Sequence, residues 1–230
     1  MRAAARRATG RARQGRFVGV TETSDPRAEV PASLWERVRA DPVRAPEHIA
    51  LAASAQHAPA AGAWAAEKRR RFAHDHRELA EMAKRRHATL ARFEGAATGV
   101  GGIFTVVPDL LGLAWIQTRL VFFVAAAYGY DPHDPMRPAE LLVLMNLYDD
   151  VATARAALDG VGKTLVESYV GSRTKRDETL AMRLAKMVGK RTARRFAGRL
   201  IPGIAIAFNA IGNERDTRAL ADRAIRFYGG

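Results

Sequence analysis

A chain of 230 residues with 37 Lys plus Arg against 24 Asp plus Glu carries a formal charge of +13 and has no cysteine. The missing thiols exclude cysteine-based zinc sites, a cysteine nucleophile and any disulfide framework, while 48% hydrophobic and 27% charged residues fit a folded chain with a core. Its 45 Ala and 31 Arg, against only 6 Lys and few β-branched runs, predict an all-α fold.

In chain order, the first 16 residues hold Arg2, Arg6, Arg7, Arg11, Arg13 and Arg16 and no acid. They lack the apolar run of a secretory signal, and residues 1–30 read as a basic, disordered tail and linker ahead of a single helical domain over 31–230. After Pro31, Ser33-Leu34-Trp35-Glu36 has the Ser-x-x-Glu pattern of a capping box, and the helix it opens should stop by Asp41-Pro42. A short helix is predicted from Pro46 to about His57, and a long one over about 60–94. The large apolar residues of the long helix, Trp64, Phe72, Leu79, Met82, Leu90 and Phe93, recur near whole turns, opposite Lys68 to Arg71, Arg77, Arg85 and Arg86.

Residues 95–107 are uncharged and small, with Gly95, Gly99 and Gly102 spaced so that one helix can approach another closely. Pro108 is placed to open the next helix, apolar nearly all round from Leu110 to Ala127 and stopped by Gly129 and Asp131-Pro132. Pro138 should start another, Ala139 to about Asp159. A short helix at 163–170, a basic helix at 175–198 and a last one from Pro202 to Tyr228 complete the series. Residues 200–213, with Gly203, form a second uncharged stretch. The expected architecture is a multi-helix bundle with the two small-residue segments packed against each other at its centre.

Over 110–128, nine Leu, Ile, Val or Phe residues contribute about −3 to −5 kcal/mol toward membrane insertion, and Arg119 costs about +3 kcal/mol near the middle. The balance is near zero. A soluble or peripheral fold is therefore expected ahead of shallow insertion of 95–128, and a true span comes last.

Candidate chemistry is sparse. Ala157 to Thr164 resembles a P-loop, but that motif needs a strand before it, and the preceding residues read as helix. His74-Asp75-His76 with Glu78, Glu81 and His87 holds metal-ligand residue types. Without a His-Glu-x-x-His pattern and among Arg71, Arg77, Lys84 and Arg85, it reads as a solvated charged face, and no metal or other cofactor is expected. Asp131, His133 and Asp134 lie in a Pro-rich turn, where Asp is favoured for local hydrogen bonds. Asp149 and Asp150 are expected within a helix, pointing about 100° apart. The serines lack a Gly-x-Ser-x-Gly setting.

The block from Gly95 through Gly102, then Pro108-Asp109-Leu110, then Ala127-Tyr128-Gly129-Tyr130-Asp131-Pro132, resembles the EcsC protein family. So do Ile201-Pro202-Gly203 through Asn209 and the closing Ala224 to Tyr228, and the resemblance spans about residues 60–228. It implies a bacterial, predominantly helical protein, in a family named after a gene beside an ABC exporter, with no catalytic residues to carry over. After Gly203 this chain has Ile-Ala-Ile-Ala where members tend to be richer in Gly.

Partitioned by region, the charge is +9 over residues 1–92, −5 over 93–170 and +9 over 171–230. Two basic flanks around an apolar middle fit a non-enzymatic helical protein on the cytoplasmic membrane face, attracted by anionic lipid or bound to a membrane protein such as a transporter. Lys190, Arg191, Arg194 and Arg195 are the expected lipid contacts. The alternatives are a basic nucleic-acid-binding protein, for which no zinc finger, RNA-recognition signature or clear helix-turn-helix is present, and a hydrolase using Asp131, His133 or Asp134.

Overall fold

A computed structural model describes residues 29–72, 75–97, 106–161, 173–188 and 205–230. These residues form eight helices and no strand: α1 Ala32–Ala40, α2 Ala45–Phe72, α3 His76–Ala97, α4 Val106–Ala127, α5 Arg137–Leu144, α6 Val151–Gly160, α7 Arg173–Val188 and α8 Ala205–Gly229. The fold is an all-α bundle, as composition predicts.

Several boundaries differ from the sequence expectation, each for a local reason. Pro31, not Ser33, precedes α1; its carbonyl accepts from the Leu34 and Trp35 amides at 2.9 and 3.2 Å, and Ser33 lies inside the helix without a side-chain cap. The break expected near residue 58 is absent. α2 runs through Pro59, which sits on the exposed side, and Ala-rich flanks sustain the helix. The break falls instead before His76, where the Asp75 carboxylate accepts from the Glu78 amide and caps α3. Asp75-x-x-Glu78 is thus a cap signature overlooked within the expected 60–94 helix.

The single helix expected over 139–159 is two. Asn146, at φ +56°, ends α5 with its amide on the Val143 carbonyl (2.8 Å) and the Leu147 amide on that of Leu142 (3.0 Å). This is a Schellman motif with Asn in the place usually held by Gly. Asp150 then caps α6 by accepting from the Thr153 amide and hydroxyl, each at 2.8 Å. Asp149 and Asp150 therefore lie in a turn, not in a helix. α4 includes Val106 and Val107 ahead of Pro108, and α7, Arg173–Val188, holds the first part of the helix expected over 175–198; the rest of that helix and the start expected at Pro202 lie outside the described residues. The expected helix at 163–170 lies outside the described residues.

α4 is the central helix, packed by α2, α3, α7 and α8. Its apolar circumference follows from that position: Leu110, Leu111, Leu113, Trp115, Leu120, Phe122 and Phe123 are all buried. Among the described residues it is also the one helix long and apolar enough to cross a membrane, and 89% of its most apolar window is buried inside the bundle.

The neighbours of α4 are lined by alanine. α2 presents Ile49, Ala53, His57, Ala61 and Ala65, and α3 presents Leu79, Ala83, His87 and Ala91. Each set is a four-residue ridge, with small side chains that admit a bulky α4 between the two helices. The large apolar residues expected on one face divide: Leu79 is fully buried, Trp64 and Met82 are half-buried against the core, with the Trp64 ring 5.2 Å from that of Phe123, Leu90 is half-buried and Phe93 is 57% exposed, while the side chain of Phe72 lies outside the described residues.

The most extensive helix pair is α3 with α8. Arg92 near the end of α3 faces Glu214 near the start of α8 (3.9 Å), and Lys84 meets Asp222 (2.5 Å), so the two run antiparallel. His76 at the start of α3 reaches Ala127 at the end of α4. Ala97, Val106 and Ala205, which flank the two uncharged segments, consequently lie at one end of the bundle. The pairing of those segments themselves lies outside the described residues.

Candidate functional site

The opposite end of the bundle gathers two of the segments that carry the family resemblance, Ala127 to Pro132 and Ala224 to Tyr228. Gly129, at φ +89°, ends α4 in a second Schellman motif: its amide donates to the Ala126 carbonyl and the Tyr130 amide to that of Ala125, both at 3.1 Å. Arg69 of α2 donates to the Ala126 and Ala127 carbonyls (2.5 and 3.1 Å), and the His76 ring donates from Nδ1 to Ala127 (2.9 Å). Two neighbouring helices thus place hydrogen-bond donors on the negative end of the α4 dipole.

Beyond that turn lies a buried polar lock. The Tyr228 hydroxyl at the end of α8 donates to Glu140 Oε2 of α5 at 2.7 Å. The same oxygen takes the Arg137 guanidinium, which also pairs with Asp134 at 3.2 Å. The Arg137 guanidinium carbon stands 5.1 Å from the Tyr130 ring centre and 5.6 Å from that of Tyr228, and the two tyrosine rings are 5.1 Å apart. Burial and the adjacent Glu140 carboxylate push the Tyr228 phenol far up, so it is a donor at every physiological pH. Burial also raises the Glu140 carboxyl, against the downward pull of its bonds to Tyr228 and Arg137.

A second polar group lies in the middle of the core. His57 packs its ring 4.4 Å from Trp115, and His87 packs 5.0 Å from Phe123. The Arg119 guanidinium lies over Phe123, 5.0 Å from the ring centre. Burial lowers both imidazoles to a pKa of about 3, helped by the charge of nearby Arg119, so both are neutral. His87 donates from Nδ1 to the Ala83 carbonyl (2.8 Å), which leaves the lone pair on Nε2. The Nε2 atoms of both histidines are buried without a hydrogen-bond partner. Neutral imidazoles walled by aromatic rings and sealed from solvent favour helix packing over proton transfer to a substrate.

The expected sites fare unevenly. Lys190, Arg191, Arg194, Arg195, Gly99, Gly102 and Gly203 lie outside the described residues; Gly95 lies in the last turn of α3. The reading of His74 to His87 as a solvated face is corrected at His87, which is fully buried; His76 is exposed, and His74 lies outside the described residues. His76 and His87, eleven positions apart, are separated by roughly 16 Å of helix, and no group of three or more His, Asp or Glu among the described residues is placed to hold a metal. Asp131 accepts from the His133 amide (2.9 Å) and Asp134 from that of Met136 (2.8 Å), the turn roles expected of them. The helix before Gly160 is α6, as the reading against a P-loop expects, and the Gly160 carbonyl accepts from Arg44 at 2.7 Å. His57 and the Arg137–Glu140–Tyr228 lock were not anticipated. The four-residue alanine ridge through His57 is the signal that points to it.

The model of the EcsC protein family matches residues 54–229. Among curated proteins, the chain is 32% identical over 82 residues to the "Uncharacterized protein YdbA" of Bacillus subtilis (strain 168), a match covering 35% of this chain and 30% of that relative's length. No solved structure matches it.

Proposed function

The chain therefore belongs to the EcsC protein family, and on that premise we propose that it is a non-enzymatic helical protein held peripherally on the cytoplasmic face of a membrane, by anionic lipid or by a membrane protein. The observation that carries this reading is the partition of charge, +9 and +9 on either side of a −5 apolar middle. Each Lys or Arg near an anionic surface contributes about 1 kcal/mol of attraction. The engagement of Asp131 and Asp134 in turn hydrogen bonds, with Asp134 also paired to Arg137, weighs against the hydrolase alternative.

The test is flotation of the full chain with phosphatidylcholine vesicles, with and without phosphatidylglycerol, at low salt. Co-flotation that requires phosphatidylglycerol is the expected result. Absence of binding at low salt sinks the lipid-bound form of the reading, and a protein that stays in the soluble fraction of cells as well sinks both forms. Preferential binding of duplex DNA, with the steep salt dependence of phosphate contacts, would favour the nucleic-acid alternative.

A further inference from the structure

The outer face of α3, from its middle to its last turns, combines charge and an apolar side chain in one arc. At about 3.6 residues per turn, Arg85, Arg86, Thr89, Arg92 and Phe93 fall within roughly 120° of the helix circumference, and all five are exposed. The side chain of Arg92 is 62% exposed even with Glu214 at 3.9 Å, and Phe93 is 57% exposed. No acid occurs between Met82 and Phe93. Lys84, the residue before Arg85, pairs with Glu81 at 3.5 Å and with Asp222 at 2.5 Å.

The arc also has a defined place in the fold. It runs from the middle of α3 toward the end of the bundle where Ala97, Val106 and Ala205 stand, the residues next to the two uncharged stretches. A single exposed Phe is ordinary on a protein surface. A Phe flanked on one helical face by three guanidiniums has the composition of an interfacial helix, in which basic side chains meet phosphates while the aromatic ring enters the boundary between headgroups and acyl chains.

We propose that this α3 face, Arg85, Arg86, Thr89, Arg92 and Phe93, is the surface by which the protein docks on an anionic phospholipid membrane. The inference rests on the membrane reading above and gives it contact residues on α3 in addition to the expected ones at Lys190, Arg191, Arg194 and Arg195. Charge complementarity selects the partner: three arginines without an intervening acid oppose lipid phosphates, and Phe93 supplies the short-range apolar contact that separates a lipid surface from a purely electrostatic partner.

The absence of native cysteine allows a direct test in the full chain. Phe93→Cys carrying an environment-sensitive dye should brighten on addition of phosphatidylglycerol vesicles. The same dye at Ala66→Cys, on an exposed position of α2, should not. In the otherwise unaltered chain, Arg85→Gln with Arg86→Gln should weaken partitioning roughly thirty-fold, about five-fold per arginine, with helicity and unfolding midpoint unchanged. If the unaltered chain binds vesicles but the Phe93 probe stays dim and the double variant binds equally well, this surface is overturned while the membrane reading stands. If the unaltered chain does not bind vesicles, the lipid surface falls together with the lipid-bound reading. Displacement of the vesicles by duplex DNA at equal phosphate concentration overturns the assignment in favour of a nucleic-acid face.

Discussion

Tyr228 and Glu140, 88 residues apart in the chain, meet in a 2.7 Å hydrogen bond that ties the last turn of α8 to α5. Because Glu140 also receives the buried Arg137, this contact closes a charged group that would otherwise lie in the core only partly compensated.

Removing the hydroxyl while keeping the ring isolates that bond. Tyr228→Phe should lower unfolding free energy by about 1.5–3 kcal/mol, the cost of losing a hydrogen bond to a charged acceptor. Urea unfolding checks it. In a double-mutant cycle with Glu140→Gln, the two losses should fall short of additivity.

The histidine pair predicts a specific pH dependence. In the folded chain both titrate at about 3, against 6.5 for an unperturbed histidine. The unfolded chain therefore takes up protons that the folded one refuses as pH drops below about 6.5. Their contribution is complete above that pH and is lost progressively toward pH 3, at about 1.4 kcal/mol per pH unit for each histidine. Between pH 6.5 and 5, above the range where most carboxylates titrate, His57→Leu with His87→Leu should flatten the decline in urea midpoint. An unchanged slope in the double variant would mean that the decline originates elsewhere.

Gly129 supplies the left-handed turn at the end of α4. Gly129→Ala should cost about 1 kcal/mol or more, because an L side chain is strained at φ +89°. Arg69→Gln should add its own loss by removing one of the two donors from each of the Ala126 and Ala127 carbonyls. Thermal unfolding of the two single variants measures both effects.

Pro59 interrupts the α2 hydrogen-bond ladder from an exposed position. Pro59→Ala restores an amide donor where proline costs about 3 kcal/mol relative to Ala in a helix interior, so it should raise the unfolding midpoint. A lowered midpoint would show that the packing of His57, two residues earlier, depends on the proline.

Much of this organisation can be read along the chain, because it is local. The apolar run of α4, its stop at Gly129 and Asp131-Pro132, and the turn roles of Asp131 and Asp134 each depend on neighbours within a few residues. So does the helical character of α6 before Gly160, which removes the setting of a P-loop. Composition alone sufficed for the all-α class, and the ordered Gly, Pro-Asp and Tyr-Gly-x-Asp-Pro blocks for the family.

Only the tertiary structure decided which faces turn inward. Large apolar residues at whole-turn spacing suggest that Phe93 shares the core face of Leu79, yet α3 turns the ridge of Leu79, Ala83, His87 and Ala91 toward α4, with His87 against Phe123, and leaves Phe93 57% exposed. The same packing carries His57 and His87 inside as neutral groups, strips their ordinary titration, and leaves Phe93 outside beside Arg92. Burial and partner choice are set by residues from distant parts of the chain, and no spacing within one helix encodes which neighbour will cover it.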